Sequence, residues 1–251
     1  MRPPHRVASA REVLPARPAQ DRPYTAPHDV KVLDLAPLLT GVRTHVPEQQ
    51  ARLEFEADRL WCAGDVSLVQ RQAVAIVGTR NVSPEGAARA RCLGRELADA
   101  GIVVVSGLAR GVDTEALTAA IDAGGKVIAV IGTPLDKAYP SENKRLQETI
   151  YRHHLLISPF ETGRRVFQSN FPERNRLMAT IADATAIIEA SEGSGTLHQA
   201  AECVRIHRWL FIARSLMDDP TVHWLDRYRN EATVRALTDA NDILSVLPSR
   251  K

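Results

Sequence analysis

Three short runs rich in valine and isoleucine, AVAIVG (Ala73–Gly78), Ile102–Val105 and Val127–Ile131, each end on small residues and are separated by stretches of helical length. This pattern constrains the fold more than any other feature of the chain. Runs that are apolar at every position, not every second one, are buried on both faces, as in parallel sheets. Parallel neighbours need a crossover, and the intervening segments read as helices. Ser83 is placed as an N-cap with Pro84 at the first helical position. That helix runs to about Ala100, buries Leu93 and Leu97, and stops at Gly101. A second helix follows Asp113 and ends at Gly124-Gly125. Further strands fit Leu155–Ser158, Ala184–Glu189 and Trp209–Ala213. The alternation predicts an α/β, Rossmann-like, doubly wound fold, with a mostly parallel sheet and helices on both faces.

Length and composition set the frame around this core. The 251 residues suit one α/β domain with appendages, and 44% hydrophobic residues suffice to build its interior. Residues 1–30 hold six prolines and five arginines and read as a disordered arm, which offers little apolar surface to offset ordering. Residues 31–70 form an N-terminal extension packing on the core, with a short helix around Ala51–Arg59 and a strand at Leu60–Cys62. Residues 71–251 are the core with a C-terminal extension. The net charge is only +2, from 32 basic and 30 acidic residues, so anion binding must come from local clustering. Cys62, Cys92 and Cys203 form no CxxC pair and read as buried or inert thiols, with no metal site and no disulfide framework. No apolar run reaches the ~18 residues of a membrane span, and no signal peptide is present, so a cytoplasmic location is expected.

In an open parallel sheet, ligands bind beyond the carboxyl ends of the strands. Small and polar residues gather there. Gly78, Thr79, Arg80 and Asn81 follow the first strand, and Ser106, Gly107, Arg110 and Gly111 the second. Gly132 and Thr133 follow the third, and Gly193, Ser194, Gly195 and Thr196 follow the strand ending near Glu189. Glycines allow close backbone approach, and free N–H groups at helix starts attract phosphate. A further cluster, FPERNR, sets Arg174 and Arg176 about Asn175 just before a helix carrying Leu177, Met178 and Ile181. Guanidinium groups there suit bidentate contacts to phosphate, and Phe171 offers a stacking ring. The GxGxxG fingerprint and the Walker lysine are both absent, which argues against a dinucleotide enzyme or a P-loop ATPase.

Six segments, LWCAGDVSLVQRQAVAIVGTR, VVSGLARGVDTEAL, VIAVIGTPLDKAYPSENKRL, ISPFETG, NFPERNRLMATIADATAIIEA and SGTLHQAAE, follow one another between about Leu60 and Ala213. In content and order they resemble the DNA-processing protein A (DprA/Smf) family. The resemblance implies an extended Rossmann-like core, dimers, single-stranded DNA as ligand, and help in loading RecA during natural transformation. It places Ser106, Gly107, Arg110 and Gly111 on a phosphate-binding rim, with Arg80, Lys137, Asn170, Arg174 and Arg176 as basic and polar partners. It implies neither cofactor, catalytic residue nor metal. The chain departs from the family pattern at Leu117, where a histidine is common, at Pro134, and in WLFIARSLMDDP. It also leaves no room for a C-terminal winged helix, so a short member is expected.

Two other functions fit the same glycine-rich edge. A phosphoribohydrolase of the lysine-decarboxylase-like fold needs a glutamate after its GGxGT loop; here GSGT is followed by Leu197, His198 and Gln199, and an amide cannot shuttle a proton. A sensor of a small nucleotide signal needs the loops but no acid. Self-association is expected on a late apolar face made of Trp209, Leu210, Phe211, Ile212, Trp224 and Leu225.

Overall fold

A computed structural model describes residues 22–35 and 58–247. Among them, nine strands form one sheet: β1 (Lys31–Asp34), β2 (Arg59–Gly64), β3 (Ala73–Val77), β4 (Val103–Ser106), β5 (Val127–Val130), β6 (Leu155–Ser158), β7 (Ala184–Ile187), β8 (Trp209–Ala213) and β9 (Val234–Leu237). The spatial order is β1-β2-β6-β5-β4-β3-β7-β8-β9. From β6 to β9 every neighbouring pair is parallel; β2 joins β6, and β1 joins β2, antiparallel. The predicted α/β architecture is therefore the observed one.

Among the described residues seven α-helices accompany the strands: α1 (Pro84–Asp99), α2 (Val112–Asp122), α3 (Lys144–His153), α4 (Asn170–Ile181), α5 (Thr196–Arg205), α6 (Arg214–Met217) and α7 (Ala240–Leu244). Strand alternation sorts the core into two layers. Ala73, Ala75 and Val77 of β3 face the cluster of α4 and α5, whereas Val74 and Ile76 face that of α1, α2, α3 and α7. α1 begins as its sequence dictates: Ser83 Oγ accepts from Gly86 N, Pro84 occupies the first turn, and Gly101 takes φ +74 beyond the end.

Several expectations need correction. Residues 22–30 do not belong to a disordered arm. The Tyr24 hydroxyl donates to Leu135 O and accepts from Gln147 Nε2, Thr25 N donates to Glu148, and Arg22 pairs with Glu148, so the segment is strapped along α3. A proline-rich composition does not register two or three such specific contacts. The helix expected around Ala51–Arg59 lies, up to residue 57, outside the described residues, as do residues 1–21; Arg59 itself opens β2. Five of the six residues of the late apolar cluster are interior, and Trp209 is half-buried. β9 pairs along β8 and covers it, and Leu210, Phe211, Ile212, Trp224 and Leu225 are all buried. Those residues therefore give no surface for self-association. Cys62 and Cys203 are buried, and burial pushes both thiols up to about 12, but Cys92 is exposed on the outer face of α1. Among the described residues no helix is long and apolar enough to cross a membrane, and no cluster of His, Cys, Asp and Glu could hold a metal.

Candidate functional site

Because β3 to β7 run parallel, their carboxyl ends open on one edge, in the order β7, β3, β4, β5, β6. The chain winds outward from β3 to β6, then crosses back to β7 on the other side of β3. That reversal is the topological switch point, where crevices form in such sheets. Two abutting cavities occupy it. The inner one, about 400 Å³, lies over β3 and β7 and is lined by Gly78, Thr79, Asp113, Asn175, Gly195 and Gln199, among others. The outer one, about 390 Å³, lies over β4 and β5 and is lined by Gly107, Arg110, Gly132, Tyr139 and Glu142, among others. Arg80, Ala109, Phe171 and Arg174 border both, so the two form one trough with a partition. The partition is a cation–π pair: the Arg80 guanidinium sits 5.7 Å from the Phe171 ring centre, and Tyr139 tilts against the same ring at 5.6 Å.

A buried charge pair forms the floor. Arg174 is buried and donates Nη1 to Val130 O at 3.0 Å. Asp113, equally buried, accepts the amides of Gly107 and Ala109 on Oδ2 at 3.1 and 3.2 Å. Burial raises the Asp113 carboxyl above the usual range, and the Arg174 charge opposes it. Burial lowers Arg174 from its usual value, with Asp113 opposing; a guanidinium remains charged regardless. At Gly107 a Cβ would lie 1.6 Å from Arg174 Nη1, so any side chain there would displace the guanidinium. Next along the chain, Leu108 adopts φ +57, a costly conformation for a branched residue, held by Asn143 Nδ2 donating to Leu108 O at 2.9 Å. That kink turns Arg110 outward, where its side chain is 62% exposed and pairs with Glu142. The Glu142 carboxyl is held below its usual range by a backbone hydrogen bond and by Arg110.

The expected site residues divide by placement. Arg80, Gly107, Arg110, Arg174, Asn175, Ser194, Gly195 and Thr196 line the trough. The others do not. Ser106 is wholly buried and donates Oγ to Ile76 O at 2.7 Å, leaving nothing for a rim. Gly111 is not among the lining residues and sits tight against the neighbouring loop: at φ +72, a Cβ there would lie 2.3 Å from Thr79 O. Asn170 is buried and donates to Gly132 O. Lys137 donates Nζ to Arg164 O, one loop away. Arg176 is exposed on the side of α4 away from the sheet, and Gly193 is an exposed turn at φ +71. The cluster FPERNR lies within α4, not before it, which is why Arg174 and Arg176 part company. A proline at the third helical position removes no internal hydrogen bond, so Pro172 does not delay the start.

Of the lining residues that escaped the sequence reading, four bear a carboxyl, an amide or an exposed ring: Asp113, Gln199 as a cavity group, Tyr139 and Glu142. Asp113 had a legible signal, an acid in the first turn of a helix behind a glycine-rich loop, where it accepts loop amides. Gln199 lines the inner cavity and donates Nε2 to Thr185 Oγ1, whereas its neighbour His198 is exposed outside it. Gln199 Oε1 and Arg174 Nε, both buried, have no hydrogen-bond partner among the described residues.

The profile of a family described as DNA recombination-mediator protein A matches residues 38–248. The chain is 39% identical over 160 residues to the DNA processing protein DprA of Streptococcus pneumoniae, covering 63% of this chain and 56% of that protein. It is 31% identical over 192 residues to the DprA protein of Bacillus subtilis, covering 76% and 64%. It thus spans little more than half the length of these curated relatives. The X-ray structure of DNA processing protein A from S. pneumoniae matches with a TM-score of 0.74 at 30% identity, over 89% of this chain and 76% of the other. That of the Helicobacter pylori protein, described for its single-stranded DNA binding mode, matches at 0.71 and 26%, over 88% and 97%.

Proposed function

The chain belongs to the DNA recombination-mediator protein A family, and on that premise we propose that it binds single-stranded DNA without a catalytic centre of its own. The observation that carries the reading is the trough: three arginines, Arg80, Arg110 and Arg174, and two rings in tilted contact, Phe171 and Tyr139, on one open edge. Arginines attract phosphate, and ring faces stack bases of any sequence. Neither phosphate attraction nor ring stacking reads base edges, so little sequence preference is expected. Delivery of the coated strand to a RecA recombinase, and dimerisation, belong to the same proposal. The test is binding of oligonucleotides of increasing length against a salt series. Affinity that grows with length and falls with salt supports the reading; saturation by a mononucleotide, with no gain from length, would replace it with a nucleotide sensor. The sensor is kept as second reading because the inner cavity has the size of a nucleotide and holds the two unpartnered buried polar atoms.

Two variants probe the rim from opposite sides. Arg110→Ala should weaken binding severalfold, leave the thermal melt unchanged, and lower the salt slope by about one unit. Glu142→Gln should strengthen binding, since it removes a carboxylate that competes with phosphate for Arg110. Equal affinity in both variants would reduce Arg110 to a surface charge.

Hydrolysis of nucleoside monophosphates is not expected. Gln199 holds the place of an acid, His198 lies outside the cavity, and Asp113 is engaged by two amides and the charge of Arg174. Steady release of free base, abolished by Gln199→Ala, would overturn the non-enzymatic reading.

A further inference from the structure

β6 is parallel to β5, so the loop after it, residues 159–169, emerges on the same edge as the trough, one strand beyond the outer cavity. Its sequence includes Arg164, Arg165 and Phe167. Phe167 is 49% and Tyr139 50% exposed, and with Val32 they are the large hydrophobic side chains left most open among the described residues. Phe167 is not isolated from charge. The Arg165 guanidinium lies 5.8 Å from the Phe167 ring centre, and Arg164 lies 5.3 Å from that of Phe160. The loop is tied to the β5–α3 connection, whose Gly132 and Tyr139 line the outer cavity: Lys137 donates Nζ to Arg164 O at 2.9 Å, and Asn170, just after the loop, donates to Gly132 O. Phe167 O also accepts from Asn170 N at 3.2 Å, so the ring is carried by a turn anchored at the head of α4.

An exposed ring beside an arginine, next to a groove rimmed by arginines, fits a stacked base with its phosphate better than an apolar protein surface. We infer that the β6–α4 loop is a second station for single-stranded DNA, at which a base leaving the trough over Tyr139 stacks on Phe167 while Arg164 and Arg165 hold the adjoining phosphates. The inference rests on the single-stranded DNA reading above. It also gives that reading a length. From β7 to β6 the edge spans four strand spacings of about 4.8 Å, or about 19 Å. At about 3.4 Å per stacked nucleotide, a strand filling the trough needs five or six nucleotides before it reaches Phe167.

The experiment compares oligothymidylates of three and twelve nucleotides, by fluorescence anisotropy, on the full chain and on Phe167→Ala, Phe167→Tyr and Arg165→Ala. The expected result is about a tenfold loss for the twelve-mer in Phe167→Ala, full retention in Phe167→Tyr, a lower salt slope in Arg165→Ala, and no change for the three-mer. Arg80→Ala is the reference, since it should weaken both lengths. If Arg80→Ala weakens binding and Phe167→Ala does not, the second station is wrong and the trough stands. If Phe167→Ala weakens both lengths alike, its ring supports the fold of the loop and the inference also falls. Should the parent chain bind neither oligonucleotide, the trough and the station fall together.

Discussion

Replacing Arg174 with methionine should cost about 3–5 kcal/mol of stability at neutral pH, because it strands the buried Asp113 carboxylate without its counter-charge. For a domain of this size that is a fall in melting temperature of about 10 °C. The deficit should depend on pH in a defined direction. Burial raises the folded-state value of Asp113, and losing Arg174 raises it further. Between the unfolded value, about 3.9, and the raised folded one, the folded state binds more protons than the unfolded state. The stabilising contribution is complete below the unfolded value and is lost as pH rises through the folded one. The gap between parent and variant should therefore be widest at neutral pH and close on acidification. Adding Asp113→Asn to Arg174→Met should restore part of the loss, since the stranded charge is gone. Melts of the three proteins at several pH values check this. A neutral-pH deficit under about 1 kcal/mol, or one that widens in acid, would mean the two charges are not coupled.

Gly111→Ala should destabilise by about 2–5 kcal/mol, and this separates packing from ligand binding at a residue the sequence places on a phosphate rim. Two costs add. At φ +72 a side chain is strained by about 1–2 kcal/mol. A Cβ would also lie 2.3 Å from Thr79 O and 2.7 Å from Arg80 O, which are backbone atoms that cannot swing aside. Overpacking of that kind costs about 1–3 kcal/mol. Because the displaced segment carries Arg80, DNA affinity should drop as well, but only together with stability. A variant that melts like the parent and binds weakly would return Gly111 to the rim as a direct amide donor.

The sequence by itself determined the core of the fold. Runs buried on both faces, each crossing through a helix, admit few arrangements, and β3 to β8 fall where those runs predict. It also singled out one sheet edge as the candidate site, since Gly78, Gly107, Gly132 and Gly193–Thr196 all follow strands. What it could not determine is where each side chain on that edge points. Arg174 and Arg176 are two residues apart, yet that half turn of helix sends the first to the sheet and the second to solvent. Ser106 reads as a loop residue, and one position of strand register makes it interior. The partners Asp113, Glu142 and Gln199 come from three separate stretches of chain, and no local pattern relates them to Arg174, Arg110 or the inner cavity. The strap of residues 22–30 depends on Glu148 and Gln147, more than a hundred residues away. Local sequence sets the period and ends of each element through backbone sterics and apolar burial. Pairing between charges and buried amides is decided only when the sheet brings distant loops to one edge, because in low-dielectric surroundings each such group takes whatever partner lies within hydrogen-bond reach.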